Sequence, residues 1–179
     1  MKKFAGLLAV AVSATAFAAP ASALEYKPYV GLDYVRSAPA SYNGREARPQ
    51  YNSASVNVGT TYNNYFGTEL FYQASYKAER TARTSYSGYG LDLIGYLPIG
   101  CDGLNLLGTL GIGEYTARYK IPGTSTTETG LGYRFGAGAQ YNFDNNWSAR
   151  ALVRYVEFDK FGDSFDHVVE YVGGVRYSF

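Results

Sequence analysis

Residues His167–Phe179 form the stretch HVVEYVGGVRYSF, from which the prediction of the fold starts. Successive side chains of an extended strand point to opposite faces. From Val169 onwards, one face of this stretch carries only apolar or small residues and ends on the aromatic ring of Phe179, whereas the other face carries Glu170 and Arg176. A strand of this kind needs a partner on each side and lipid or a core against its apolar face. The pattern predicts the closing strand of a β-barrel.

The clearest strand pair precedes it, as Gly130–Phe143 and Trp147–Phe158 joined by a short Asp-Asn-Asn turn. Apolar and polar residues alternate through both segments, which is typical of half-buried strands. Such short turns accept left-handed backbone conformations and close hairpins. These two segments therefore predict a hairpin directly before the closing strand.

Five further strands are predicted at regular spacing, which is expected when many short strands share one barrel. They are Tyr29–Arg36, Ser53–Tyr62, Phe66–Lys77, Ser87–Leu97 and Leu106–Arg118. Long connections (Ser37–Asn52, Ala78–Tyr86, Tyr119–Thr129, Asp159–Asp166) alternate with short ones (Asn63–Tyr65, Pro98–Asn105, Asp144–Asn146). Outer-membrane barrels show the same asymmetry between extracellular loops and periplasmic turns. The prediction is an all-β, eight-stranded antiparallel up-and-down transmembrane β-barrel.

The N-terminus has the features of a secretory signal peptide. Lys2 and Lys3 precede an apolar run that ends in the small residues 21–23, and this order is typical of a signal with an A-x-A cleavage site. We predict a signal peptide over residues 1–23 and an outer-membrane barrel domain over residues 24–179. Leu24, rather than a cysteine, follows the predicted cleavage site, which argues against a lipoprotein.

Composition narrows the functional classes. The chain has a formal net charge of +1, so its charge gives no reason to expect nucleic acid. Cys101 is the only cysteine, and with one histidine the chain offers no clustered soft ligands, so we expect no metal and no cofactor. The chain has 19 Tyr and 10 Phe. Tyr is enriched where one end of the side chain is in an apolar phase and the other in water, so this composition fits a small membrane barrel.

In the strands that show a clear alternation, the charged residues lie on one face and the aromatic residues lie on the other. An eight-stranded barrel has room inside only for packed side chains, so we place the bulky aromatic phase towards lipid and the polar phase in the interior. Buried charges must pair. We predict an ion-pair network in the lumen, formed by Glu69, Asp92, Arg134, Arg150, Arg154, Glu170 and Arg176.

In Gly132–Phe158, in Tyr65–Tyr72 (YFGTELFY) and in the C-terminal GGVRYSF, the chain resembles small outer-membrane barrels of the OmpA transmembrane-domain, OmpX and opacity-protein type. The resemblance implies an outer-membrane location, contact with membrane lipids and lipopolysaccharide, and an assembly signal at Tyr177 and Phe179 that the outer-membrane assembly machinery recognises. By the same resemblance, Glu69 and Arg150 lie at positions where the family has an inward-facing glutamate and an inward-facing arginine. Gln140 lies at a position where the family has a second glutamate.

Three functions remain open. The first is a non-enzymatic, monomeric barrel with a structural, surface-antigen or adhesin-like role, which meets host ligands through its loops. The second is a narrow porin-like channel, and the third is a lipid A-modifying enzyme that uses His167. No catalytic residue is assigned, because a Ser164-Asp166-His167 trio does not converge in an extended strand.

The predicted loops carry two further features. Three of them are modestly basic, through Arg45, Arg48, Arg80, Arg83 and Lys120. These charges are either ordinary solvated loop charges, the interpretation that we prefer, or a site for anionic lipopolysaccharide phosphates or host glycans. Aromatic residues in or beside the loops are predicted to be adhesive anchors or an upper aromatic girdle: Tyr42, Tyr51, Tyr86, Phe161 and Phe165.

Overall fold

The computed structural model describes residues 26–40, 50–75, 83–100, 103–121, 124–159 and 167–179. These residues form eight strands: β1 (Tyr26–Ala40), β2 (Tyr51–Tyr62), β3 (Phe66–Ser75), β4 (Arg83–Pro98), β5 (Leu104–Ile121), β6 (Thr124–Asn142), β7 (Trp147–Asp159) and β8 (His167–Ser178). None of the described residues belongs to a helix long and apolar enough to cross a membrane. The predicted signal peptide and Cys101 lie outside the described ranges.

The strands close into an antiparallel barrel in chain order, with β1 paired to both β2 and β8. The predicted fold class is therefore confirmed. One end, here called the turn end, carries the short connections and Phe179, and the opposite end is called the loop end. Backbone hydrogen bonds continue past the strands at the turn end, for example from Ser178 N to Asn146 O at 2.7 Å and from Phe179 N to Pro28 O at 3.0 Å.

The β6–β7 turn is held by a carboxylate. Asp144 Oδ1 accepts the backbone N–H groups of Trp147 at 2.7 Å and of Asn146 at 2.8 Å. These two hydrogen bonds stabilise the ionised form and lower the pKa of Asp144. The sequence Asp-Asn-Asn thus forms the predicted tight turn by side-chain capping of the backbone.

Two aromatic bands circle the outer surface. The band near the turn end includes Tyr26, Phe66, Tyr141, Trp147 and Phe179, and the band towards the loop end consists of Tyr34, Tyr72, Tyr89, Tyr133, Tyr155 and Tyr171. Between them the exposed side chains are apolar, such as Leu32, Val58 and Leu110. Tyr133 and Tyr141, which belong to different bands on β6, are eight positions apart, and eight residues of a tilted strand rise ~20 Å along the barrel axis. This is the height of a lipid-facing belt with aromatic borders.

The strands extend further at the loop end than predicted. Residues 119–129 were expected to form a loop, but β5 and β6 stay paired from Leu104↔Tyr141 up to Ile121↔Thr124. β4 likewise begins at Arg83, inside the predicted loop 78–86, and pairs Arg83 with Lys120. The cause is the regular hairpin register together with many threonines, which favour strands. Arg83 and Lys120 therefore lie in strands rather than in loops.

Candidate functional site

The polar phase of the strands fills the lumen. All seven residues that the sequence singles out for the lumen are buried there, together with one that it missed, Asp33. Among the described residues, the charged side chains that are buried as a whole are Asp33, Glu69, Asp92 and Glu170 with Arg134, Arg150, Arg154 and Arg176. Their formal charges cancel, as a buried set of ions requires in a low-dielectric interior.

Arg150 on β7 is held by two carboxylates from different strands. Its Nε and Nη2 donate to Asp33 of β1 at 2.9 and 2.5 Å. Its Nη1 and Nη2 also donate to Glu69 of β3 at 3.0 and 2.9 Å. Because β3 lies on the opposite side of the barrel from β7, this one guanidinium spans the lumen. Bidentate arginine–carboxylate contacts are the strongest and most directional ion pairs that proteins form.

Arg176 on β8 extends the same cluster towards the turn end. Its Nη2 lies 2.6 Å from Glu69 Oε2, and its Nη1 donates to Tyr96 Oη at 2.9 Å and to Gln140 Oε1 at 3.0 Å. Tyr29 Oη also donates to Glu69 at 3.0 Å. We call Asp33, Glu69, Arg150 and Arg176 the clamp. Gln140 thus accepts from a clamp arginine without adding a charge.

Two further ion pairs lie nearer the loop end. Arg134 Nη2 is 3.3 Å from Asp92 Oδ2, and Arg154 Nη1 is 3.9 Å from Glu170 Oε2. Glu170 also accepts Gln73 Nε2 at 2.9 Å. The guanidinium of Arg134 lies 3.6 Å from the ring centroid of Phe71, a cation–π contact. These upper pairs are longer than the contacts of the clamp.

Two of the ion pairs cross an intervening strand above a glycine. Gly174 of β8 is in register with Asp33 on one side and Arg150 on the other. Gly111 of β5 lies in the same way between Asp92 and Arg134. A β-carbon on Gly174 would overlap Asp33 Oδ1 and lie 2.7 Å from the carbonyl oxygen of Leu32. The glycine leaves the space in which the carboxylate meets its arginine.

The lumen also contains aromatic rings, which the sequence does not assign to the interior. Tyr86 stacks on Tyr115 with ring centroids 5.5 Å apart, and Tyr115 meets Phe158 edge-on at 5.2 Å. Tyr51 and Tyr86 are buried, so the expectation that they form adhesive anchors or an outer girdle is wrong. Glycines are the physical reason, because Gly88 and Gly132 face the ring of Tyr115 and make room for it. Tyr42, Phe161 and Phe165 lie outside the described residues.

The remaining predicted residues lie away from the lumen. His167 is outside the polar phase of β8, and its ring stacks on Tyr155 at 5.1 Å. Tyr177 contacts both Trp147 and Phe179 edge-on, at 5.1 and 5.3 Å, in the aromatic band of the turn end. Arg45, Arg48 and Arg80 lie outside the described residues.

The chain is similar to known outer-membrane proteins. Residues 6–179 match the family model described as outer membrane protein beta-barrel domain. Neisserial surface protein A (NspA) superposes with a TM-score of 0.70 at 14% identity, covering 88% of this chain and 100% of that one. The attachment invasion locus protein Ail of Yersinia pestis gives 0.62 at 20% identity, covering 86% and 97%. The N-terminal barrel domain of Pseudomonas aeruginosa OprF gives 0.63 at 15%, covering 87% and 100%.

No curated protein sequence matches the chain. The structural similarities, all at low identity, establish a shared fold rather than a shared activity. The family match spans nearly the whole sequence and agrees with the closed barrel and its apolar, aromatic-bordered belt. The chain therefore belongs to the outer membrane protein beta-barrel domain family and resides in the bacterial outer membrane.

Proposed function

We propose that this protein is a sealed, non-enzymatic surface barrel, which supports the outer membrane and acts as a surface antigen or adhesin through its extracellular segments. The observation that carries the proposal is the clamp. Arg150 and Arg176 bring β1, β3, β7 and β8 together across the lumen. To pass through the barrel, a hydrated ion would have to break these contacts, which join buried and desolvated groups.

The first test is conductance. The wild-type protein in planar lipid bilayers is expected to give negligible current, because the clamp closes the lumen near the turn end. Replacing both Glu69 and Arg150 by alanine removes one negative and one positive charge, so the net charge of the lumen does not change. This double variant should open the lumen and produce single-channel steps. Glu157→Gln, a change on the outer face, serves as the control and should stay silent. Steady steps from the wild type would contradict the proposal.

A narrow channel is the second candidate, and one observation favours it. Near the upper pairs, Arg134 Nε and Nη1, Arg154 Nε and Nη1, and Glu170 Oε2 are buried without a hydrogen-bond partner in the protein. Buried polar groups in this state are usually completed by water. Water in the upper lumen would let ions enter from the loop end as far as the clamp, which favours a channel. The conductance of the wild type separates the two candidates.

The proposed surface role draws on charge in the sequence and on one relative. Arg45, Arg48 and Arg80 belong to predicted loops. Ail is named for attachment and invasion, and one of its structures is a complex with the heparin analogue sucrose octasulfate. We propose anionic glycans and lipopolysaccharide phosphates as ligands of the extracellular segments, outer-membrane lipids around a monomeric barrel, and the assembly machinery as partner of Tyr177 and Phe179.

The second test is binding to immobilised heparin. Replacing Arg45, Arg48 and Arg80 together by glutamine is expected to lower the affinity roughly tenfold, because each lost charge weakens contact with sulfate groups. The matched control replaces the same three residues by lysine, which keeps the charge. Equal binding by the glutamine and wild-type proteins would remove the basis for this ligand.

An altered lipid A acylation pattern that disappears in His167→Ala would instead support an enzyme.

A further inference from the structure

On the loop-end side of the clamp, five buried side chains carry polar atoms that have no hydrogen-bond partner in the protein. They are Tyr86, Tyr115, Arg134, Arg154 and Glu170, each less than a tenth exposed. The atoms are the hydroxyl oxygens of both tyrosines, Nε and Nη1 of both arginines, and Oε2 of the glutamate. We call these five residues the upper cluster. Because buried polar groups are seldom left unpaired, the upper cluster has the hydrogen-bonding capacity to hold a guest.

The upper cluster surrounds one space. Five consecutive strands, β4 to β8, contribute one residue each. Both tyrosine side chains lie near enough to Arg134 and Glu170 to interact with their charges, and Arg154 Nη1 is 3.9 Å from Glu170 Oε2. Tyr86 also stacks on Tyr115, and the two hydroxyls interact electrostatically. The unpartnered atoms are therefore close enough to share one small guest.

Donors outnumber acceptors in this space. The arginine nitrogens only donate, and the tyrosine hydroxyls are able to donate. Among the unpartnered atoms of the upper cluster, only Glu170 Oε2 is restricted to accepting. The other carboxylate oxygen, Oε1, already accepts from Ser37 at 3.2 Å and from Gln73 at 2.9 Å. A water molecule must also donate, whereas an anion accepts from several donors at once, and charge strengthens its hydrogen bonds to guanidinium groups. The excess of donors thus favours an anion.

Charge balance requires that the anion bring a proton with it. The wholly buried charges of the lumen already cancel, and an unbalanced charge is costly in a low-dielectric interior. A proton on Glu170 Oε2 restores the balance and converts the acceptor of the upper cluster into a further donor. In the described part of the chain, Glu170 faces Ser37, Gln73 and the two arginines and two tyrosines of the cluster. Arginines do not lose their charge in proteins, so Glu170 is the group that changes its protonation.

We propose that the upper cluster binds a small monovalent anion, of the size of chloride, together with a proton on Glu170. Arg134 and Arg154 supply the attraction, and the tyrosine hydroxyls and the protonated carboxyl group complete the set of donors. Because all five side chains are buried, the space between them suits a monatomic ion rather than a sugar or an organic acid. This site goes beyond the proposed surface role, since it lies inside the barrel and requires no conductance.

The test uses the full chain refolded in detergent micelles in sodium gluconate, whose anion is too large for the upper cluster. Replacing gluconate by chloride at constant ionic strength should shift the Nε–H signals of Arg134 and Arg154 in nuclear magnetic resonance spectra. The signal of Arg36, which lies on the outer face and bonds Gln50, serves as the control and should stay in place. As long as Glu170 is ionised in the free protein, chloride affinity should rise about tenfold for each unit by which the pH falls, because a proton binds with each anion.

Substitutions in the upper cluster provide a second measurement. Glu170→Gln has the shape and charge of the protonated glutamate, so it should bind chloride roughly tenfold more tightly at neutral pH and without pH dependence. Tyr86→Phe removes a donor and should weaken binding roughly tenfold. Its matched control, Tyr133→Phe in the aromatic band towards the loop end, should bind as the wild type does.

Three results would each overturn the inference: arginine signals that do not respond to chloride, a wild-type affinity that does not change with pH, and equal affinities of the two phenylalanine variants. The pH series of the wild type keeps the test decisive if Glu170→Gln fails to fold. Conductance of the wild type bears on the sealed barrel alone.

Discussion

Arg150→Ala is expected to lower the free energy of unfolding by about 3–5 kcal/mol, the cost of removing one member of a buried ion pair. Arg150 donates to both Asp33 and Glu69, so its removal leaves two carboxylates in the lumen with fewer partners. Asp33 keeps Asn57 Nδ2 at 2.8 Å and the more distant Arg154 Nη2 at 3.8 Å. Glu69 keeps Arg176 at 2.6 Å. These remaining contacts compensate for only part of the lost charge, because buried carboxylates also lose their hydration.

The measurement is a urea titration of protein folded into lipid vesicles. Trp147 is the only tryptophan of the chain and lies half-exposed in the aromatic band of the turn end, so its fluorescence reports insertion. Arg36→Ala is the control, since Arg36 is exposed and bonds Gln50; it should cost less than about 0.5 kcal/mol. Arg150→Lys should fall in between, because an ammonium does not reproduce the bidentate contacts. If Arg150→Ala cost no more than Arg36→Ala, the clamp would have no stabilising role.

The sequence predicts the strands best where one phase is clearly polar. In β6 and β7, Arg134, Arg150 and Arg154 alternate with exposed apolar and aromatic residues, so both the period and the inward face follow from the pattern. The strand order then follows from the short turns between neighbouring strands. The existence of eight strands and the inward charges were accessible in this way, without any knowledge of the pairing.

Asp33 was missed because β1 is apolar on both faces. Its lumen side carries Tyr29 and Val35, while Leu32 and Tyr34 face outwards, so no polar phase marks the strand. β5 presents the same difficulty, since it has leucines on both faces. Period alone does not assign a face in such segments. The inward aromatic rings escaped prediction for a related reason, because the space they occupy is created by glycines on neighbouring strands.

The register connects these observations. Arg150, Gly174 and Asp33 form one row across β7, β8 and β1, and Arg134, Gly111 and Asp92 form another across β6, β5 and β4. In each row the two charges meet above the missing side chain of the glycine between them. A charge–glycine–charge row becomes visible in the sequence only once the strands are aligned. The ion pair therefore requires the glycine, because a larger side chain would occupy the space in which the two charges meet.

Gly174→Ala is accordingly expected to destabilise the barrel by about 1–3 kcal/mol, the usual cost of overpacking a filled interior. The new β-carbon would overlap Asp33 Oδ1, so the carboxylate would have to move away from Arg150. Gly174→Val should cost more, because its methyl groups would enter the space that the ion pair occupies. The effect is read from the same urea titration, together with the loss of heat-modifiable gel mobility.

The neighbouring residue provides a matched control. Gly173 faces outwards, and a β-carbon there would have no atom within 4 Å. Gly173→Ala should therefore be neutral or slightly stabilising, since it restricts the unfolded chain without a clash. The two variants differ by one position in the same strand and by no change in composition. Equal destabilisation by both would mean that the backbone of β8, rather than the space above Gly174, determines the effect; a loss confined to Gly174→Ala would assign it to the ion pair.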